Sequence, residues 1–482
     1  GSTMERKSED LEVELGERGR SSSERTPLTA PPALTQTKRR KWRKKLLYIA
    51  AHTRLLENRE PPPKGWREGS KALLAGSKLN VLLVLAVAIP AVRSKSATFV
   101  LSCLVLLPLA SLLGDVTEKV AYHTSETIGG LLNATFGNAT EALVSIFALR
   151  KGLVRVVQVS LLGSVLSNML LVLGSAFVAA GMRVKLAHFN RTAATANTSL
   201  LLIAVLALLV PAMLEAAQEI TDQAERALSR STSVLLLGIY VAYLNFQLSS
   251  HSKLFDEETE LARHRERGEE QPQASFADVA FTALAKRHNQ SHPKPRVDPV
   301  SCGGEQPDAA AIRHLVPPKT PDDDDDYVLR LDVALGWLAV ITLGVAAFSE
   351  LLTATLEDFS AQFQLPDAFV GFVLLPLVGN AAEHATAISM AYRAKMDLAV
   401  AVALGSSTQI ALFVLPFMVI VGIFLHQPLD LAFGSFETAV TALSVLIVAS
   451  QAQMGEVHYL NGICLVVAYC IIALSFYYIQ QP

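Results

Sequence analysis

Recurrent apolar runs constrain this sequence more than any other feature. Stretches of about 20 residues nearly free of charge occur at 72–92, 97–121, 128–149, 154–181, 197–214 and 232–250. They recur at 328–356, 367–392, 397–425, 431–450 and 459–479. A run of that length, coiled as a helix, matches the hydrocarbon thickness of a bilayer. In lipid the backbone must satisfy its own hydrogen bonds, and a helix does so within one segment. The pattern predicts an all-α polytopic membrane protein with about eleven transmembrane helices. The first run is the least clean, because Lys78 and Pro90 interrupt it. A soluble domain can reach the 51% hydrophobic content of this chain but would not distribute it in this way.

Charge is segregated outside these runs. Residues 1–70 are polar and read as a disordered basic arm, with a dense basic cluster at 38–45 that carries Trp42. That cluster runs into Leu46, Leu47 and Ile49, which suits either a helix on an anionic lipid surface or a solvated juxtamembrane arm. Gly1, Ser2 and Thr3 ahead of Met4 read as a cloning remnant. A polar linker spans 252–327 and ends in five aspartates at 322–326. The expected organisation is an arm (1–70), a first helix with a first membrane half (71–251), the linker, and a second membrane half (328–482). The basic start predicts a cytosolic N-terminus, and eleven spans then place the linker in the cytosol too. The net charge of −2 averages opposite regions, and no nucleic-acid partner is expected. The four cysteines, Cys103, Cys302, Cys464 and Cys470, lack the spacing of a metal site or disulfide framework.

The two membrane halves are copies. Gly137-Asn138-Ala139-Thr140-Glu141 recurs as Gly379-Asn380-Ala381-Ala382-Glu383, and 383 − 141 = 242. Gly163-Ser164 recurs as Gly405-Ser406, where 405 − 163 is again 242. An odd number of spans separates the two starts, so the copies run in opposite directions, as in many secondary transporters. A carboxylate in the bilayer interior is costly and points to function. Asn138 and Glu141 share a helix face, as do Asn380 and Glu383. The following spans add Ser164, Ser167 and Asn168 in one copy, and Ser406, Thr408 and Gln409 in the other. These are all oxygen donors, the ligand type of a hard cation such as Ca²⁺. His384 adds a group that titrates near neutrality. A packing role remains open for each of the single polar residues, the histidine included.

At these residues the chain resembles the cation/H⁺ exchangers of fungal and plant vacuoles, within the superfamily of Ca²⁺/cation antiporters. The matching text is GGLLNATFGNATE at 129–141, GSVLSNMLLVLG at 163–174, VGNAAEH at 378–384 and GSSTQIALFVLP at 405–416. Ala139-Thr140 and Ala381-Ala382 stand where sodium-coupled relatives usually carry a Pro-Glu pair, which favours the proton-coupled branch. The resemblance implies a first helix beside two inverted five-helix halves. It implies that Glu141 and Glu383 form the essential acidic pair, binding one Ca²⁺ when ionised and protons when it leaves. It makes Asn138, Asn380, Ser164, Ser406 and Gln409 supporting metal-site positions, and His384 the motif histidine linked to proton coupling. It also gives the run at 322–326 the place of an acidic segment found before the seventh span. The implied activity is antiport of Ca²⁺ for H⁺ across a vacuolar or other acidic organelle membrane, with Mn²⁺ or a broad divalent range as the alternative. No enzymatic activity and no cofactor are expected, Ca²⁺ being the cargo. A cation channel and a membrane scaffold remain as rivals.

Overall fold

The computed structural model describes residues 64–250 and 328–479. The basic cluster at 38–45 and the whole 252–327 linker, with its five aspartates and Cys302, lie outside the described residues.

Apart from two short pairings, the described chain is helical. Helices α1 (Trp66–Ala75) and α2 (Lys78–Ala91) meet at an angle of 102°. Helix α1 thus lies partly inside the stretch 1–70 read as a disordered arm. The break follows from Gly76-Ser77, with the Ser77 hydroxyl accepting from the Leu79 amide. Then come α3 (Lys95–Ala121), α4 (Glu126–Phe136), α5 (Ala139–Arg150), α6 (Val154–Gly181), α7 (Arg191–Ala216) and α8 (Asp222–Asn245). The second half holds α9 (Leu331–Phe363), α10 (Asp367–Gly379), α11 (Ala381–Tyr392), α12 (Met396–Phe424), α13 (Ser435–Ala452) and α14 (Tyr459–Tyr478). Polar side chains cap several starts: Ser94 on α3, Ser125 on α4, Asn190 on α7 and Thr221 on α8. Strands β1 (Ala187–His188) and β2 (Glu456–Val457) pair antiparallel, and Lys64 bridges Leu329.

Eight helices are each long and apolar enough to cross a membrane, and the bent pairs α1–α2 and α10–α11 raise the number to ten. The remaining run expected over 128–149 is divided at Gly137-Asn138 into α4 and α5, of 11 and 12 residues. The expected total of eleven is reached only when that broken pair is also counted as one span.

The repeat seen in sequence governs element boundaries. Helix α5 maps on α11 at both ends (381 − 139 = 242; 392 − 150 = 242), and α6 maps on α12 at its start (396 − 154 = 242). Both α6 and α12 widen into a π-turn at matching places, Ser167–Val172 and Ile410–Val414. The Ser407 hydroxyl donates to the Val165 carbonyl at 3.2 Å. These are equivalent positions, so that bond lies on the pseudo-twofold axis.

The halves are inverted. Helices α3 and α9 pack antiparallel over their length. Lys95 pairs with Asp358 and Ser96 bonds Gln362 at one end, while His123 Nε2 lies 2.6 Å from the Leu329 carbonyl at the other. The second end is the face on which α8 stops and α9 starts, called here the linker face. The apolar core is in two parts. One surrounds α6 and α12, and the other is the α3–α9 seam with α2 against it.

Small residues allow the central helices to touch. A Cβ on Gly163 would collide with the Phe372 carbonyl of α10 and lie 2.9 Å from the Pro376 ring. Neither obstacle can rotate away. Gly163→Val is therefore expected to cost about 3 kcal/mol or more, read as a lowered melting temperature in detergent. An unchanged melting curve would show that α6 and α10 are not held at this distance.

Candidate functional site

The two broken spans deliver the glutamates. Asn138 and Asn380 are the N-caps of α5 and α11, yet neither amide caps its own helix. Glu141 and Glu383 follow in the first turns, where the positive end of a helix dipole favours a carboxylate. Breaking each span in mid-membrane thus puts two helix N-termini, two amides and two carboxylates at the centre of the fold.

The cap amides are free to cross to the other half. Asn138 Nδ2 donates to Gln409 Oε1 at 2.6 Å, and the Ser406 hydroxyl leans on Asn138 Oδ1 at 3.4 Å. Asn168 Nδ2 donates to Ser406 Oγ at 2.9 Å. Asn380 Nδ2 approaches the Ser164 carbonyl at 3.4 Å. Asn138, Asn380, Ser164, Ser406 and Gln409 are thereby brought together around the glutamates. Thr408 is not part of this group; its hydroxyl bonds back to the Leu404 carbonyl at 2.8 Å.

Several oxygens here have no protein donor. Both Glu141 oxygens, Glu383 Oε2, Asn380 Oδ1 and Asn168 Oδ1 are buried without a hydrogen-bond partner in the protein. Buried polar atoms are nearly always satisfied, so a group of five acceptors calls for a cation or protons. Among the described residues no three His, Cys, Asp or Glu cluster as a metal site. The donor set is two carboxylates plus amide, hydroxyl and carbonyl oxygens, which suits a hard cation better than zinc.

The glutamates sit in unequal surroundings. Glu141 is 7% exposed and packs on Gly379, where a Cβ would lie 2.7 Å from its Oε1. It lines a small pocket of about 20 Å³ with Ser160 and Ser164. Glu383 is half-buried and lines an open cavity of about 210 Å³. That cavity also holds Asn138, Ser406 and Gln409, and it opens between the linker-face ends of α7, α8 and α12, at Asn190, Gln247 and Asp397. Asp397 Oδ1 accepts the Asn190 amide at 2.5 Å. The sequence reading missed Asn190, Asn197, Tyr243, Gln247 and Asp397 as lining residues. The signal for Asp397 was available, since an acid directly opens a span that carries the repeated Gly-Ser.

His384 is placed differently. Its Nδ1 lies 2.7 Å from the Asn380 carbonyl, one turn back, and its buried Nε2 has no protein partner. It lines neither pocket. It touches the break of the span rather than the cavity beside Glu383.

A family model described as sodium/calcium exchanger protein matches residues 95–249 and 333–478, the two inverted halves found here. The chain belongs to the sodium/calcium exchanger protein family. Within this family it is 39% identical over 414 residues to vacuolar cation/proton exchanger 3 of Oryza sativa subsp. japonica, covering 84% of this chain and 87% of the relative. It is 35% identical over 420 residues to the vacuolar calcium ion transporter of Schizosaccharomyces pombe, covering 86% and 87%. Among solved structures it is similar to the Ca²⁺/H⁺ antiporter protein YfkE, with 29% identity, a TM-score of 0.60 and coverage of 86% and 100%. The inverted fold and the family thus agree with the expectation from sequence. The family matches lie outside 1–94 and the linker, so they bear on the membrane halves alone.

Proposed function

We propose that this protein is a Ca²⁺/H⁺ antiporter of an acidic organelle membrane, vacuolar by its relatives, which removes Ca²⁺ from the cytosol. The observation that carries this reading is the pair Glu141 and Glu383, delivered by inverted half-helices into a nest of unpartnered oxygens, with one carboxylate beside a pocket of about 20 Å³ and the other lining a cavity of about 210 Å³. The names of the relatives support it.

The residues divide the work as follows. Glu141 and Glu383 supply the charge that Ca²⁺ needs, and Asn138, Asn380, Ser164, Ser406 and Gln409 supply or orient neutral oxygens. When Ca²⁺ leaves, two carboxylates stand close with little solvation, and each gains by taking a proton. Metal and proton occupancy exclude one another, which couples the two flows. Sliding of the central helices would wet Glu141 and seal Glu383, exposing the site to the other side. With the N-terminus and linker in the cytosol, the described state is open to the cytosol. His384 sits at the hinge of one broken span, so we assign it to coupling through that break rather than to metal ligation. The arm and the acidic run at 322–326 are read as elements of regulation and cation capture near the mouth, the arm through contact with anionic lipid.

The test is metal-dependent H⁺ flux in reconstituted vesicles. Ca²⁺ added on one side is expected to drive H⁺ out of the other, with no H⁺ flux in its absence and no response to Na⁺. Ca²⁺ movement that ignores the H⁺ gradient would make the protein a channel. An equal or larger response to Mn²⁺, also an oxygen-ligand cation, would widen the substrate to divalent ions.

A further inference from the structure

The two faces of the fold close their entrances differently, and the repeat shows how. On the linker face the cavity leading to Glu383 is bordered by Asp397, Val400 and Ala193. Their repeat mates are the residues that would border the same cavity on the opposite face. In α6 and α12 the offset is 242, so Asp397 maps on Arg155 (397 − 155 = 242) and Val400 on Gln158 (400 − 158 = 242). In α7 and α13 the register steps to 244. The N-caps Asn190 and Gly434 differ by that amount (434 − 190 = 244), and buried Ala194, Asn197 and Leu201 fall on buried Thr438, Thr441 and Val445. Ala193 therefore maps on Glu437 (437 − 193 = 244).

All three mates are engaged across the opposite mouth. Arg155 Nη2 donates to Glu437 Oε1 in an ion pair. Gln158 Nε2 donates to Asp430 Oδ1 at 3.0 Å and reaches the Ala432 carbonyl at 3.4 Å, drawing the 425–434 loop over the end of α6. In the same half a pocket of about 20 Å³ holds Glu141, Ser160 and Ser164. These are the mates of Glu383, Val402 and Ser406, which line the open cavity. Equivalent residues of the two halves thus line a cavity of about 210 Å³ on one side and a pocket of about 20 Å³ on the other.

We propose that Arg155 and Glu437 form a latch, an ion pair that holds the face opposite the linker shut while the linker face is open and that parts when the carrier turns. The inference rests on reading the chain as an alternating-access carrier. The sequence does not repeat this pair, because the mate of Glu437 is Ala193 and the mate of Arg155 is Asp397. The pair also has the character of a latch rather than of permanent glue. The Arg155 side chain is 47% exposed while that of Glu437 is 4% exposed. Parting would return the carboxylate to water and lose a bond whose other end is already half solvated, so the closed state is favoured modestly and reversibly. Gly434 leaves the carboxylate room, since a Cβ there would lie 2.6 Å from Glu437 Oε2.

The test reads accessibility rather than transport. Ser160→Cys reports the small pocket beside Glu141 and Val402→Cys the larger cavity beside Glu383, in a chain whose native cysteines are replaced and which is reconstituted in vesicles. A membrane-impermeant thiol reagent is applied from each face. Arg155→Ala is expected to raise labelling of the Ser160 probe from the opposite face about tenfold, because it strands a buried carboxylate in the closed state. Labelling of the Val402 probe from the linker face should fall. Glu437→Gln should act in the same direction but less, because the guanidinium left behind is already half in water. The exchanged pair, Arg155→Glu with Glu437→Arg, should restore protection. Folded Arg155→Ala protein with both probes unmoved would overturn the latch, and so would a lowered melting temperature with unmoved probes. If Arg155→Ala does not fold, Glu437→Gln decides by the same readout. Unmodified protein in the same vesicles separates the two readings. Normal H⁺-driven Ca²⁺ uptake with unmoved probes removes only the latch, whereas absent uptake removes the carrier reading.

Discussion

Glu141→Gln and Glu383→Gln are each expected to reduce Ca²⁺-dependent H⁺ flux to the level of protein-free vesicles, with little change in melting temperature. Glutamine keeps the shape and one oxygen of the side chain but neither ionises nor carries a proton. Removing one unit of charge about 4 Å from a divalent ion forfeits about 4 kcal/mol per unit cation charge at an effective dielectric near 20. For the two charges of Ca²⁺ that is about 8 kcal/mol, roughly a millionfold in affinity. The fold should not suffer, because neither Glu141 oxygen makes a hydrogen bond to the protein that an amide would lose. The readout is paired: vesicle flux for function and a melting curve for integrity. Retained exchange in either variant would remove the centre of the proposed mechanism. The substitutions also differ in a way the asymmetry of the site dictates. Glu383 faces the open cavity, so its loss should weaken cation binding from the linker face first. Glu141 is buried against Gly379 beside the smaller pocket, so its loss should be felt only once the ion is enclosed.

The fold and the acidic pair were legible in the sequence because the chemistry is repeated. One Gly-Asn-x-x-Glu is a short pattern open to chance; two at an offset of 242, followed by Gly-Ser at the same offset, reveal the pseudo-symmetry and point to the candidate site. Apolar run length located the spans, but not their breaks. The third and eighth runs each read as one helix, whereas the chain interrupts both at Gly-Asn and uses the break to aim Glu141 and Glu383. Hydropathy averages over about 20 residues and cannot register a two-residue interruption. The cavity mouth was not legible either. Asn190 and Asp397 are far apart in sequence and meet only because α7 and α12 begin on the same face. The contrast between Arg155 and Asp397 was present at the same offset, but its meaning needs Glu437, which lies where the register has stepped to 244. His384 shows the opposite limit. The resemblance links it to proton coupling, but which group its side chain would meet, the Asn380 carbonyl one turn back, is set by the fold.

Gly379→Ala is expected to separate stability from function in a single substitution. Gly379 ends α10 with helical backbone, so alanine fits its conformation and should leave stability unchanged or raise it by about 0.5–1 kcal/mol. The added Cβ, however, would lie 2.7 Å from Glu141 Oε1. The obstructed atom is the end of a flexible side chain, not backbone, so the carboxylate moves and the helices stay. A metal site built on unpartnered oxygens tolerates little displacement of one of its two charged ligands, so apparent Ca²⁺ affinity should fall about tenfold or more. The mate, Gly137, provides the contrast. A Cβ there would meet the Asn133 carbonyl at 2.6 Å, an obstacle in the backbone of the preceding helix. Gly137→Ala should therefore lower the melting temperature as well as transport. Titrating Ca²⁺-dependent H⁺ flux and melting both variants distinguishes the cases. A Gly379→Ala protein with unchanged affinity would mean that Glu141 does not lie against α10 when the ion is bound, and the Glu141 half of the site would have to be drawn elsewhere.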